Sequence, residues 1–151
     1  MASSLSSDPT NQYVYLHELE EVVGKHDQTL FVWAHCGVSR RVAHPDYFTM
    51  VKRMLTNYGN IHVDLSWVVY EDTICKPRKH DTDPLHPQQV WIDEVIEPFS
   101  DRIMLGSDLC GHFDNHGKTM ARYNNLLKAL SPESRHKIAK DNAQQLYFKK
   151  E

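Results

Sequence analysis

The chain has 151 residues, of which 40% are apolar and 25% are charged, and these values fit one ordinary soluble domain. A net charge of −3 with scattered lysines and arginines excludes the basic surface typical of nucleic-acid-binding proteins. No segment approaches the roughly 18 apolar residues of a membrane span, and residues 1–12 lack the features of a secretory signal. We therefore predict a cytoplasmic protein without a membrane segment, with a flexible tail over residues 1–12 and one domain over residues 13–151.

The cysteine pattern indicates free thiols. Cys36, Cys75 and Cys110 are odd in number, dispersed and without a CxxC pair. This spacing argues against a disulfide framework and against a structural zinc cluster. We predict reduced cysteines, with Cys36 as a small packed residue and not a nucleophile.

The first half of the domain predicts helices and strands in alternation. Residues 13–23 place apolar side chains on one helical face, and Gly24 ends that helix. Residues 30–34 form an apolar run that is typical of a strand buried on both faces of a parallel sheet. Residues 47–58 repeat apolar positions at helical spacing, and residues 61–65 alternate as a strand does. The order is helix, strand, helix, strand.

The second half continues the alternation after a long connection. Residues 71–87 are polar and proline-rich, which predicts a loop that is functional or mobile. Residues 88–99 predict a helix, 102–106 a third strand, and 118–130 and 132–148 two more helices. Ser131 and Pro132 resemble an N-cap followed by proline at the first helical position. The whole order predicts an α/β fold with a parallel sheet and right-handed crossovers.

Polar side chains follow the predicted strands. His35 ends the first strand, Asp64 and Ser66 end the second, and Asp108 follows the third. These ends meet at one edge of a parallel sheet, where α/β proteins bind ligands. Ordinary roles stay open: Asp108 as a helix N-cap or loop residue, His35 as a buried histidine bonded to backbone, and Asp64 as a structural acceptor or an orienting group.

Four short segments carry a family resemblance. They are Ala34-His35-Cys36-Gly37, Asn60-Ile61-His62-Val63-Asp64-Leu65-Ser66, Arg102-Ile103-Met104-Leu105-Gly106-Ser107-Asp108 and Asn142-Ala143-Gln144-Gln145-Leu146-Tyr147. In order and spacing they resemble the metal-dependent amidohydrolases, specifically the amidohydrolase-related group that includes the aminocarboxymuconate-semialdehyde decarboxylase type. The resemblance covers most of residues 13–148.

The resemblance implies a TIM (β/α)₈ barrel of which this chain holds the last three strand-helix units, strands 6–8. A complete barrel typically needs about 250 residues. The His-x-His pair of the family's first strand and the metal-binding histidine of its fifth have no counterpart in this sequence. We therefore expect an incomplete barrel that lacks most of the family's metal ligands.

The resemblance also implies roles for particular residues. Asp108 corresponds to a metal ligand that helps take a proton from metal-bound water, and His35 to a general acid or base beside the metal. The metal is divalent and expected to be zinc. Arg40 and Arg41 could hold a substrate carboxylate, and Trp67 could line the pocket. The ordinary alternatives are solvated arginines and a tryptophan packed under the loop.

Three further histidines receive weaker interpretations. His62 lies inside a strand, which favours a packed or outward-facing side chain. His112 and His116 are four residues apart and would resemble a metal-binding pair on one helical turn. Gly111 and Gly117 make that turn doubtful, so we interpret both histidines as residues of a substrate loop.

Several functions remain open from the sequence. The leading hypothesis is a metal-dependent hydrolase whose metal-activated water attacks a small molecule, with weak or no activity in the isolated chain. A decarboxylase of the same family is one alternative. Another is a non-catalytic remnant or split-barrel subunit that forms a homo-oligomer or binds a complementary half-barrel. A flavodoxin-like binding module is the last, and it lacks a glycine-rich phosphate loop.

Overall fold

The structure is a computed structural model that describes residues 14–37, 47–66, 68–75 and 87–148. The strands are β1 (Phe31–Trp33), β2 (Ile61–Asp64) and β3 (Ile103–Met104). The α-helices are α1 (Val14–Lys25), α2 (Tyr47–Asn57), α3 (Pro87–Trp91), α4 (His116–Ala121), α5 (Asn124–Ala129), α6 (Pro132–His136) and α7 (Asn142–Tyr147). None of the described helices has the length and apolar character needed to cross a membrane.

The three strands form the predicted parallel sheet. The order is β1-β2-β3, with Phe31 opposite Ile61 and Val63 opposite Ile103. The strands are shorter than the sequence predicted, and the third shows why. The Leu105 N–H donates to the carbonyl of Ile138 at 3.3 Å, so β3 leaves the ladder one residue after Met104.

One face of the sheet lies in the hydrophobic core. Ile61, Val63 and Ile103 are completely buried together with the apolar side chains of α2. The helical spacing of residues 47–58 predicted those α2 contacts, and burying each large apolar side chain stabilises the fold by roughly 1.5–3 kcal/mol. The buried α2 residues are Tyr47, Met50, Val51, Met54 and Leu55.

The opposite face of β1 differs from the prediction. Residues 30–34 were expected to be covered on both faces, yet Leu30 is 59% exposed and Val32 is 38% exposed. Among the described residues β1 pairs only with β2, so it forms an edge of the sheet. The prediction of a strand buried on both faces is therefore wrong for β1 in the described part of the chain.

Two connections also differ from the sequence prediction. The predicted loop 71–87 begins inside a π-helical turn, Val69–Ile74. The side chains of Val69 and Ile74 are completely buried, so this turn packs into the core. The predicted helix 118–130 is interrupted between α4 and α5, where the side chain of Tyr123 turns into the core. The rest of the predicted loop, residues 76–86, lies outside the described residues.

The C-terminal helix follows the prediction closely. The helical segment runs from α6 through a π-helical turn at Lys137–Asp141 into α7. The hydroxyl oxygen of Ser131 accepts a hydrogen bond from the N–H of Ser134 at 3.2 Å, with Pro132 at the start of the helix. The predicted N-cap is confirmed.

Side-chain donors brace the end of the sheet where the strands begin. Asn60 Nδ2 lies 3.0–3.2 Å from three carbonyl oxygens at the end of α1 and in the following turn. Arg102 donates at 2.6 Å to two carbonyls near the end of α2. The buried Asn142 donates to the carbonyls of Ser100 at 2.6 Å and Ile103 at 2.7 Å. These bonds join helices and strands at that end.

Candidate functional site

A tight turn after β1 carries His35 into the interior. His35 (φ 57°) and Cys36 (φ 48°) both adopt the left-handed backbone conformation that L-residues rarely occupy. Gly37 (φ 70°) completes the turn, and a Cβ there would lie 2.3 Å from the ring of Trp33. Only glycine fits this position. The result is a histidine side chain that is almost completely buried at the C-terminal end of β1.

Asp64, at the end of β2, holds that turn in place. Its Oδ1 accepts hydrogen bonds from the N–H of His35 at 3.1 Å and from the N–H of Ser66 at 3.0 Å. The Ser66 hydroxyl also donates to the same oxygen. One carboxylate oxygen thus joins the ends of two neighbouring strands, which is the structural acceptor role left open by the sequence.

Ser66 determines how the His35 ring is held. Its Oγ lies 2.6 Å from Nδ1 of His35, and its single hydroxyl proton is donated to Asp64. Serine has one proton to donate, so the Nδ1 side of the ring must be the donor in the contact with Ser66. The arrangement therefore selects the tautomer that carries its proton on Nδ1 and presents Nε2 on the other side of the ring.

Asp108 lies on that other side. Its Oδ1 is 3.6 Å from Nε2 of His35, and its backbone is left-handed with φ 50°. Asp108 lies in irregular chain after β3 and does not cap a helix. The sheet thus brings together His35 and Asp108, the two residues predicted to be catalytic, from β1 and β3.

Gly106 permits the close approach of β2 and β3 at this edge. A Cβ at Gly106 would lie 2.7 Å from Cβ of Ser66, which is closer than two non-bonded carbon atoms can approach. Tyr123 then ties the two strand ends together. Its side chain is completely buried, and its single hydroxyl proton is shared between the carbonyl of Leu65 at 2.6 Å and that of Gly106 at 2.9 Å.

Burial raises the pKa of the Tyr123 phenol, so it remains protonated and keeps donating to these carbonyls. Sequence reasoning missed Tyr123 because an isolated tyrosine in a helical pattern carries no distinguishing signal. Ser66 does carry a signal in the sequence. It continues the alternation of His62 and Asp64 on one face of β2, two residues beyond the carboxylate it contacts.

The remaining predicted residues fall into two groups. Arg40, Arg41 and Trp67 lie outside the described residues. Cys36 is completely buried, its thiol contacts the carbonyl of Asp64 at 3.4 Å, and burial raises its pKa well above the usual value. A thiol in this state is a poor nucleophile. Its predicted packed role is confirmed, and Cys36, Cys75 and Cys110 carry no disulfide.

The other histidines lie away from this cluster. His62 is half-buried, its Nδ1 has no hydrogen-bond partner, and its pKa is lowered by burial and then by the charge of Arg102. His112 is exposed with φ 48°, and the exposed His116 begins α4. The two are not on one helical turn, which agrees with the doubt raised by the neighbouring glycines.

The cluster contains two side chains of the kinds that bind metal ions, an imidazole and a carboxylate. His35 Nε2 and Asp108 Oδ1 are close enough to approach one zinc ion at about 2.0–2.2 Å each. A catalytic zinc generally needs three protein ligands. In the part of the chain that the structure describes, no group of three or more His, Cys, Asp or Glu could hold a metal ion. The described donors therefore do not complete the site.

Comparisons with known proteins identify the family. The sequence model of a family described as Amidohydrolase matches residues 5–149. A crystal structure of an amidohydrolase from Burkholderia multivorans with bound zinc superposes with a TM-score of 0.57 and 21% identity, covering 88% of this chain and 49% of that one.

A second crystal structure of an amidohydrolase from Burkholderia multivorans, with bound HEPES, gives a TM-score of 0.55 at 20% identity over the same shares of both chains. The chain therefore spans about half the length of the solved structures that it resembles. No curated protein matches it in sequence. The family match covers nearly the whole chain, so the chain belongs to the amidohydrolase family.

Proposed function

We propose that this chain carries part of the active site of a metal-dependent hydrolase acting on a small molecule. Asp108 is the metal ligand and His35 is the general acid or base. The observation that carries the proposal is the hydrogen-bonded series Asp64, Ser66 and His35, whose imidazole faces Asp108 across 3.6 Å. Such a series fixes one histidine nitrogen toward an acidic group at the functional edge of a parallel sheet.

The strands are proposed to correspond to strands 6–8 of a (β/α)₈ barrel. Their sequential order in a parallel sheet supports this assignment, since neighbours in sequence are neighbours in such a barrel. The position of β1 also supports it, because in the described part of the chain β1 pairs only with β2 and its other edge could pair with a preceding strand. The ligands missing from the described residues would then come from elsewhere in the assembled site.

The chain's own residues can orient the His35 ring and move a proton at its Nε2 atom. Asp64 and Ser66 orient His35, so Nε2 is the nitrogen that takes or returns a proton at the reacting group. The Asp64 oxygen that faces the turn already accepts three hydrogen bonds, which favours a positioning role. A divalent metal, expected to be zinc, supplies an activated water when bound. Arg40, Arg41 and Trp67 remain predicted contacts for a substrate with a carboxylate.

Zinc titration of the purified chain tests the role of Asp108. We expect weak zinc binding that Asp108→Asn abolishes, because the substitution removes the carboxylate that is the proposed metal ligand. Asp114→Asn is the matched control, since Asp114 is an exposed acid on the same loop. Equal zinc affinity in the wild type and Asp108→Asn would remove Asp108 from the proposed site.

Turnover of chromogenic esters and amides tests the activity. We expect weak or no hydrolysis by the isolated 151-residue chain, and any hydrolysis should disappear in His35→Gln but persist in His26→Gln, at an exposed position after α1. Stoichiometric, tight zinc with rapid turnover would contradict the incomplete site. Release of carbon dioxide from a carboxylate substrate, without a hydrolysis product, would instead identify the decarboxylase alternative.

A partner-dependent subunit is the second candidate function. The exposed Leu30 and Val32 at the β1 edge support it, since an open, apolar strand edge favours pairing with another chain. The partner would be a second copy or a complementary half-barrel. Light scattering after size exclusion should show an assembly that Val32→Lys weakens and Val22→Lys, an exposed apolar position on α1, leaves intact. A stable monomer with a cooperative melt would count against this candidate.

A further inference from the structure

A cavity with charged residues in its lining lies beside the His35 and Asp108 cluster. Its volume is about 510 Å³, and its lining comes from the loop after β3, from α4 and from the π-helical turn after β2. Leu109, which directly follows Asp108, forms one wall, so the cavity lies next to the candidate site. The lining residues are Glu71, Leu109, Asn115, Lys118, Thr119 and Arg122.

Arg122 is the most informative residue of this cavity. Its Nη2 donates to the Tyr123 hydroxyl at 2.9 Å, and its guanidinium lies 4.9 Å from the centre of the Tyr123 ring. Because Tyr123 is fixed by two carbonyls, these contacts anchor the guanidinium. The Arg122 Nε is buried and has no hydrogen-bond partner. A buried donor of this kind is costly unless a ligand, ion or water satisfies it.

The charges of the lining favour an anion. Lys118 and Arg122 contribute two positive groups, and Glu71 contributes one negative group. Within the described residues Arg122 forms no ion pair with Glu71 or with any other carboxylate. Thr119 and Asn115 add side-chain hydrogen-bond donors. A guanidinium with an ammonium and neutral donors is the combination that proteins use for carboxylates and phosphates.

We propose that this cavity is an anion-binding subsite that holds a carboxylate or phosphate group of the substrate. Arg122 is its anchor, Lys118 and Thr119 are supporting donors, and the reacting part of the ligand extends toward Asp108. The substrate assignment rests on the proposed hydrolase function. Binding of an anion in the cavity does not, because it rests on the Arg122 environment and on the charges of the lining.

Nuclear magnetic resonance of the full chain tests the subsite directly. Inorganic phosphate and acetate are titrated separately, at constant ionic strength held with chloride, while the Arg122 Nε–H signal is followed. Arg122→Lys assigns that signal by removing it. We expect a saturable shift of this signal, because an anion bound in the cavity changes the environment of the guanidinium that lines it, and no shift with neutral acetamide. A shift with phosphate alone would assign a phosphate ligand, and a shift with acetate alone would assign a carboxylate ligand. Shifts with both anions would assign a subsite that accepts either group.

Neighbouring variants supply a second test that keeps the Arg122 probe. Lys118→Gln should weaken binding about twofold to fivefold, as expected for an exposed charge. Glu71→Gln should strengthen binding because it removes the one carboxylate among the described residues of the lining. Lys128→Gln, an exposed lysine on α5, should change nothing.

The subsite is overturned if no saturable shift occurs, or if Lys118→Gln and Lys128→Gln behave alike. One outcome is saturable anion binding together with equal zinc affinity in the wild type and in Asp108→Asn. It would support the subsite and contradict the proposed hydrolase site. Zinc binding that depends on Asp108, without any anion-induced shift, would support the proposed hydrolase site and contradict the subsite. The two proposals therefore fail separately.

Discussion

The two ends of the parallel sheet use polar side chains in different ways. Where the strands begin, Arg102 and Asn142 donate to main-chain carbonyls and join helices to the sheet. Where the strands end, Asp64, Ser66 and His35 bond to one another and face Asp108. The first end thus stabilises the fold, and the second positions ionisable groups, which is the division expected of parallel α/β sheets.

Backbone strain follows the same division. In the described segments, the non-glycine residues with positive φ are His35, Cys36, Asp108 and His112, and all of them follow β1 or β3. A left-handed L-residue costs roughly 1–2 kcal/mol, so these conformations persist only where surrounding contacts enforce them. Strain concentrated at the end that holds the candidate site is typical of functional regions.

Removing a donor where the strands begin should have the largest effect on stability. Asn142→Ala leaves two buried carbonyls, those of Ser100 and Ile103, without their donor. We expect a loss of about 2–4 kcal/mol in the free energy of unfolding, measured by urea denaturation. Asn125→Ala on the exposed side of α5 is the control and should change stability by less than about 0.5 kcal/mol.

The comparison of the two ends depends on this difference. If Asn142→Ala were as stable as Asn125→Ala, the bonds where the strands begin would not hold the sheet together. The contrast with the candidate site would then lose its physical basis.

A methyl group at Gly106 should disturb the other end. Gly106→Ala places a carbon 2.7 Å from Cβ of Ser66, and relieving that overlap should cost about 1–3 kcal/mol of stability. Adding Ser66→Gly removes the second carbon, so the double variant should lose less than the sum of the two single losses, measured by thermal denaturation.

Gly117→Ala in α4 provides the control for Gly106. Nothing lies within 4 Å of a Cβ at that position. Alanine should therefore be neutral or stabilise the helix by up to about 1 kcal/mol. Additive losses in the Gly106 and Ser66 pair would mean that the overlap is relieved elsewhere and that Gly106 does not set the position of Ser66.

The sequence anticipated the architecture better than the contacts of the site. Apolar runs and helical spacing predicted the parallel order, and the strand ends placed His35 and Asp108 at one edge. The same patterns could not reveal that Tyr123 leaves its helix to bond two strand ends, because that contact joins residues far apart in sequence. Nor could they show that Val32 is exposed, since exposure depends on which neighbours cover the strand.

Ser66 should control the tautomer of His35 more than it controls stability. In Ser66→Ala the Nδ1 contact is lost, and the ring is free to adopt the Nε2-protonated form that a Ser66 partner excludes. We expect nitrogen-detected NMR to report Nδ1–H in the wild type and a change in Ser66→Ala, with a stability loss of about 0.5–1.5 kcal/mol. Ser107→Ala, at a half-buried neighbouring position, is the control. An Nε2–H tautomer in the wild type would contradict the proposed positioning of His35.

The smallest predicted effect is a pH dependence from His62, which lies between the two ends on β2. Burial and then Arg102 lower the pKa of His62 in the folded chain, so the unfolded chain takes up the proton first as the pH falls below about 6.5. Stability should therefore decline as the pH falls from about 6.5 through the lower folded pKa. Solvent reaches part of the ring, so the loss should stay below about 1 kcal/mol.

His62→Gln should flatten the dependence of unfolding free energy on pH in this range, whereas His26→Gln, at an exposed position after α1, should leave it as in the wild type. An identical slope in His62→Gln would show that another group produces the decline, because glutamine cannot take up the proton that the argument requires.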